Sequence, residues 1–140
     1  MRIEIDLPLP PTANNAYVSD KRTGRRYLSQ RARLWKDEAG WLALIGKSET
    51  QVIKGPYTFV IRIPEKARGD TDGYIKLAQD LLVSIGITPD DRVAKMSQSI
   101  RDPDIRPRRC LVIVEDESHD PRSNSVPRDG TSAPAKTDPR

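Results

Sequence analysis

The sequence predicts an α+β protein: a mixed β-sheet with two helices packed on it, followed by a disordered polar tail. Three observations carry this. Residues 2–7 and 57–63 alternate apolar with polar or smaller side chains, the period of a strand. Two other stretches repeat apolar residues every three or four positions, the period of a helix. The elements follow one another as β, hairpin, α, β, α, β, β, which fits helices segregated on a sheet.

Ile3, Ile5 and Leu7 share one face of the first strand, and Pro8, Pro10 and Pro11 end it. Between residues 12 and 28, Asn14-Asn15 and Lys21-Arg22-Thr23-Gly24 are turn signals flanked by Tyr17-Val18 and Tyr27-Leu28, a short β-hairpin with a basic tip. Ser29 suits a helix N-cap, and Ala32, Trp35, Ala39, Leu42 and Ile45 continue as a stripe to Gly46. Tyr57, Phe59, Ile61 and Ile63 make the second clear strand, closed by Pro64.

Asp72 to Ile85 reads as the second helix. Tyr74, Ile75, Ala78, Leu81, Leu82 and Ile85 form its apolar face, and Gly86 stands where a left-handed C′ residue belongs. Residues 92–100 and 109–114 read as two further strands joined by a turn around Asp102-Pro103-Asp104.

With 140 residues the chain has room for one core without disulfides. Residues 1–116 form that domain. Residues 117–140 are rich in Pro, Ser, Asp and Arg, too poor in apolar groups to offset their ordering entropy, and are expected to be disordered. This tail has four basic and four acidic groups, so the net +4 falls on residues 1–116 and suggests an anionic partner. Cys110, the lone cysteine, adjoins Leu111-Val112-Ile113-Val114 and reads as a buried strand thiol. With no signal-peptide pattern and no long apolar run, the expectation is a cytoplasmic protein without a membrane partner.

Against that basic background stand Asp70, Asp72, Asp80 and the pair Asp90-Asp91. Asp72, Lys76 and Asp80 are four apart, and a step of four drifts only ~40° on a helix, so the three fall on one face. Bland readings exist for each. Asp72 also suits a helix cap, Lys76–Asp80 an ordinary surface pair, and Asp90-Asp91 a turn after Pro89. Carboxylates that converge repel one another and favour a cation between them. Convergence requires the chain to return along the helix, for instance with residues 92–100 pairing beside residues 57–63. All candidate donors are hard oxygens, which favours Mg²⁺, with Mn²⁺ as a substitute, over zinc. The one histidine, His119, lies in the tail and Cys110 is alone, so metal-activated water on a phosphate ester is the chemistry left open.

At these residues the chain resembles the RusA family of Holliday junction resolvases. The likeness rests on Arg68-Gly69-Asp70-Thr71-Asp72-Gly73-Tyr74-Ile75-Lys76, then Asp90-Asp91-Arg92-Val93, with Leu7-Pro8-Leu9-Pro10-Pro11 and Asn14-Asn15 near the start. It spans about residues 2 to 115. The resemblance implies a RusA-like fold and a Mg²⁺-dependent, homodimeric endonuclease that cuts four-way DNA by paired symmetric nicks in recombination and repair. It puts Asp70, Asp72 and Asp91 at metal-ligand positions and Lys76 at that of a catalytic lysine. Asp90 matches the first acid of the family's pair and is a candidate further metal ligand. Gly73 departs from the family's frequent Asn, and Ile87-Thr88-Pro89 from the aromatic some members carry there.

Lys21, Arg22, Arg25, Arg26, Arg31, Arg33 and Lys36 read as a surface that tracks DNA phosphates, with Lys66, Arg68 and Arg92 nearer the acids. The same charges also read as a solvated hairpin tip and helix face. Arg106, Arg108 and Arg109 either extend the surface or keep a β-hairpin in solution. Val60, Val112 and Val114 are apolar positions left over for a dimer contact. Two other readings stand beside the nuclease: a non-catalytic branched-DNA-binding protein that kept the fold, and a basic interaction module.

Overall fold

Strict alternation makes strand β1 (Arg2–Pro8) one-sided: Ile3, Ile5 and Leu7 are buried while Arg2, Glu4 and Asp6 face outward. The structure, a computed structural model, describes residues 1–46 and 52–116. The expected disorder of residues 117–140 falls outside that range. After β1 come α1 (Ala13–Ala16), β2 (Tyr17–Ser19), β3 (Arg26–Leu28) and α2 (Gln30–Gly46). Then follow β4 (Tyr57–Pro64), a 3₁₀ turn (Thr71–Tyr74), α3 (Ile75–Ser84), a second 3₁₀ turn (Asp91–Val93), β5 (Ala94–Asp102) and β6 (Arg109–Asp116).

The main sheet has the order β1-β6-β4-β5, with β4 and β5 parallel and the other neighbours antiparallel. The fold is thus mixed α+β with a mixed sheet and three helices, one more than expected because Ala13–Ala16 forms a helical turn. That turn takes the Asn14-Asn15 signal out of the hairpin, which shrinks to β2 and β3 around residues 20–25. Parallel pairing of β4 with β5 needs a crossover, and α3 supplies it. Residues 94–102 therefore return beside β4.

The last two strands do not form a hairpin. β5 lies on one side of β4 and β6 on the other, so residues 103–108 carry the chain across the end of β4. Arg108 takes a positive φ of 66° in that crossing. Arg106, Arg108 and Arg109 are therefore not on a hairpin tip.

Tyr57, Phe59, Ile61 and Ile63 of β4 meet Cys110, Val112 and Val114 of β6 beneath the helices, all buried. Val112 and Val114 are thus core residues, which removes them as dimer surface. Val60 lies on the opposite face of β4, opposite Ile113 of β6. Burial and the nearby Asp6 push the Cys110 thiol up to about 12, so it stays protonated and inert at neutral pH.

Ser29 caps α2: its Oγ accepts the Ala32 N–H at 3.2 Å. The buried stripe of α2 is Ala32, Trp35, Ala39, Gly40 and Ala43. Trp35 Nε1 donates to the Pro8 carbonyl at 2.9 Å and pins the helix to the end of β1. Leu42 and Ile45 turn away from the core, because a period of 3.6 carries the stripe from Ala39 to Ala43. Leu34, Trp41 and Ile45 stand outward, 61, 70 and 74% exposed. No helix among the described residues is long and apolar enough to cross a membrane.

The expected second helix splits in two. The Gly73 N–H bonds the Asp70 carbonyl at 3.1 Å, a tighter i→i+3 turn, and α-geometry begins only at Ile75. Gly is a poor α-former and helix starts commonly tighten in this way. At the other end Gly86 has φ 81°, and the N–H groups of Ile87 and Gly86 reach Leu82 and Val83 carbonyls at 2.9 and 3.1 Å. That is a Schellman stop, with Ile87 and Leu82 both buried beside it.

Candidate active site

Between Pro64 and Asp70 the chain leaves the sheet with backbone carbonyls that no ladder satisfies. Arg101, on β5, satisfies three of them. Its Nη1 donates to Glu65 O at 3.0 Å and Ala67 O at 2.5 Å, and its Nη2 to Gly69 O at 2.9 Å. The Tyr74 hydroxyl donates to Arg68 O at 2.5 Å, and Gly69 takes the left-handed φ of 78° that the turn needs. Asp70 is thus presented by a loop fastened to β5, a role for Arg101 that sequence spacing did not signal. Arg101→Met, which keeps the stem and loses the donors, is expected to cost about 1–2 kcal/mol in urea denaturation. Faster amide exchange confined to residues 66–70 checks that the loss is local.

Asp70 and Asp72 line one cavity with Thr12, Ala13, Asn14, Gly69, Thr71 and Gly73. Both acids are exposed. Asp70 is the N-cap of the 3₁₀ turn and makes no side-chain cap bond, and Asp72 lies in the first turn. A Cβ added at Gly73 would stand 3.5 Å from Thr12 Cβ, which is ordinary contact.

Lys76 and Asp80 face outward on α3, with Lys76 Nζ 3.7 Å from Asp80 Oδ2. The same Asp80 oxygen accepts the Tyr17 hydroxyl at 2.9 Å. Lys76 Nζ and the Arg26 guanidinium lie over the Tyr17 ring, 5.8 and 5.2 Å from its centroid. Partial burial, then the bond to Asp80, raises the Tyr17 phenol to about 12.

Asp90 and Asp91 have different surroundings. Asp90 Oδ1 accepts the Arg92 N–H at 2.9 Å, and Oδ2 accepts Arg92 Nε and Nη2 at 3.2 and 3.0 Å. Those bonds from Arg92, backbone first, hold Asp90 down at about 2. Asp91 is pushed up by its hydrogen bond with Asp90, then by burial and the charges of Asp90 and Asp80, with Lys76 opposing. Asp90 is therefore engaged with Arg92 in its own turn. Asp91 belongs to the electrostatic neighbourhood of Lys76 and Asp80.

Among the described residues no three His, Cys, Asp or Glu side chains are gathered as a metal cage. Asp70 and Asp72 share a cavity, and Asp91 feels the charges of Asp80 and Lys76. Mg²⁺ is commonly held by one or two carboxylates, with waters and substrate phosphate completing its shell. The donor chemistry of Asp70 and Asp72 suits that mode without a third protein ligand.

The basic residues divide as well. Lys21, Arg22, Arg25, Arg26, Arg31, Arg33, Lys66, Arg68 and Arg92 are all exposed, while Lys36 is half-buried. Arg31, Lys66 and Arg68 line one groove with Arg108, Asn15 and Tyr74. Thr12 lines both this groove and the Asp70–Asp72 cavity. Lys21, Arg22, Arg25 and Arg26 belong to the β2–β3 hairpin, and only Arg26 is seen in contact with the Lys76 cluster, through Tyr17. Tyr17 and Arg101 are the site residues that spacing could not reveal. Their partners are 63 and 32–36 positions away.

No protein-family model matches the chain, and no curated protein matches it.

Proposed function

We propose that the chain is a divalent-metal-dependent nuclease acting on branched DNA, a resolvase of four-way junctions of the RusA kind. One observation carries the reading: the open carboxylates of Asp70 and Asp72 adjoin a groove lined by Arg31, Lys66, Arg68 and Arg108. Carboxylates beside a phosphate-binding groove repel the very ligand it attracts, unless a cation lies between. Bound there, Mg²⁺ would supply an activated water and charge neutralisation at the scissile phosphate. The chain's own groups act around it. Groove cations hold the flanking phosphates, Asp70 and Asp72 offer the oxygens, and Lys76 presents positive charge where the phosphate gains negative charge. A junction has approximate two-fold symmetry, so matched nicks call for two copies of the site in a C2 dimer. The outward row of Leu34, Trp41 and Ile45 is apolar surface for such a contact.

The test is wild-type protein with a synthetic four-way junction and its linear arms, with Mg²⁺ and with chelator. Paired symmetric nicks in the junction, lost on chelation, are expected, together with a dimeric mass by light scattering. Junction binding should fall linearly with log salt. A slope of roughly −3 to −4 corresponds to four groove cations each neutralising a phosphate; a flat dependence removes the groove from the reading. The second reading is a non-catalytic branched-DNA-binding protein, favoured by the absence of a three-carboxylate group within the described chain. Tight junction binding without cleavage in Mg²⁺ or Mn²⁺ would select it. No junction binding would leave a basic interaction module.

A further inference from the structure

We infer that Tyr17 is a positioning residue for Lys76, and that through it the β2–β3 hairpin sets the placement of the reactive lysine. This rests on the nuclease reading above. A lysine on an exposed helix face normally samples many rotamers, and fixing one opposes its side-chain entropy. Here two contacts from one residue restrict it. The Tyr17 ring lies under the ammonium, 5.8 Å from centroid to Nζ. The Tyr17 hydroxyl holds Asp80 Oδ2 at 2.9 Å, and that oxygen stands 3.7 Å from Nζ. Asp80 alone, a partly exposed i,i+4 partner, would fix the lysine poorly. With one oxygen tied to Tyr17, it becomes a fixed anchor.

The arrangement also joins two parts of the molecule. Tyr17 begins β2, and Arg26 of β3 stands over the same ring at 5.2 Å. The residue pair Tyr17–Leu28 closes that hairpin. A backbone phosphate engaged by Arg26 is therefore held by the same small hairpin that places the Lys76 ammonium. Displacing a catalytic group by about 1 Å can reduce rate a hundredfold without weakening binding.

Three variants separate the contacts. Tyr17→Phe keeps the ring and loses the hydroxyl. Tyr17→Leu loses both. Asp80→Asn keeps the helix and weakens the anchor. Single-turnover cleavage of the four-way junction is expected to fall about tenfold in Tyr17→Phe and Asp80→Asn and about a hundredfold in Tyr17→Leu, with junction affinity within about twofold of wild type. A merely structural role would move stability and affinity together and would not be graded by the ring. A readout free of activity is the Lys76 ε-methylene proton shift. Ring-current displacement is expected in wild type and Tyr17→Phe and lost in Tyr17→Leu. Cleavage by Tyr17→Leu at the wild-type rate, or an undisplaced Lys76 resonance in wild type, overturns the inference while the nuclease reading stands. Wild-type protein that binds junctions and never cuts them overturns the nuclease reading instead, and the positioning role with it.

Discussion

Asp72→Asn is expected to abolish Mg²⁺-dependent junction cleavage, by on the order of 10³-fold or more, while junction binding survives. The substitution keeps size and hydrogen bonding and removes one charge. Asp72 is exposed and lies in the 3₁₀ turn before α3, where Asp70 and not Asp72 is the N-cap, so the fold has little to lose. Surface changes of this kind fall within about 0.5 kcal/mol. What is lost is a hard anionic oxygen at the cavity it shares with Asp70. Without metal, junction affinity should be unchanged or tighter, because a charge repelling phosphate has gone. Gel-shift affinity and cleavage rate on one preparation decide the matter. A variant that cuts at the wild-type rate would remove Asp72 from the mechanism.

Phe59→Ala is expected to have the largest effect on stability, a loss of about 3–5 kcal/mol. Phe59 is fully buried in the central strand of the sheet's core, with Val114 of β6 and Ser97 of β5 at its register. It has no solvent edge along which neighbours could collapse, so both transfer energy and cavity count against the variant. Domains of this size are stable by only about 5–15 kcal/mol. The urea midpoint should drop sharply at constant m-value, with Tm down by roughly 10–20 °C. Ile45→Ala provides the contrast. Sequence periodicity assigns Ile45 to the same helix stripe as Trp35, yet it is 74% exposed in the single chain, and its loss should cost the monomer no more than about 0.5 kcal/mol. Equal effects from the two would contradict the packing.

Legibility differed from element to element. β1 and β4 were readable because alternation is local: each apolar side chain announces its face within two residues. The Ser29 cap and the Gly86 stop were readable for the same reason, since each bonds backbone within one turn. Longer-range features were not. Val112 and Ile113 are adjacent and similar, and only the register of β6 between β1 and β4 says which faces the helices. Residues 92–100 and 109–114 looked like a hairpin because the turn between them is short. The strand order excludes this: β6 lies between β1 and β4, on the far side of β4 from β5.

The acids follow the same division. By itself the sequence determined the kinds of groups present, hard carboxylates and a lysine on a basic chain, and the helical spacing that sets Lys76 beside Asp80. Only the tertiary structure decided their company. It joined Asp70 and Asp72 to a cavity walled by residues 12–14, gave Asp90 to Arg92, set Asp91 near Lys76, and brought Tyr17 across 63 positions to Asp80. The physical reason is that spacing along a chain governs contacts within a turn or two. Contacts between elements follow from strand order and from which faces must be buried, and both are properties of the whole fold.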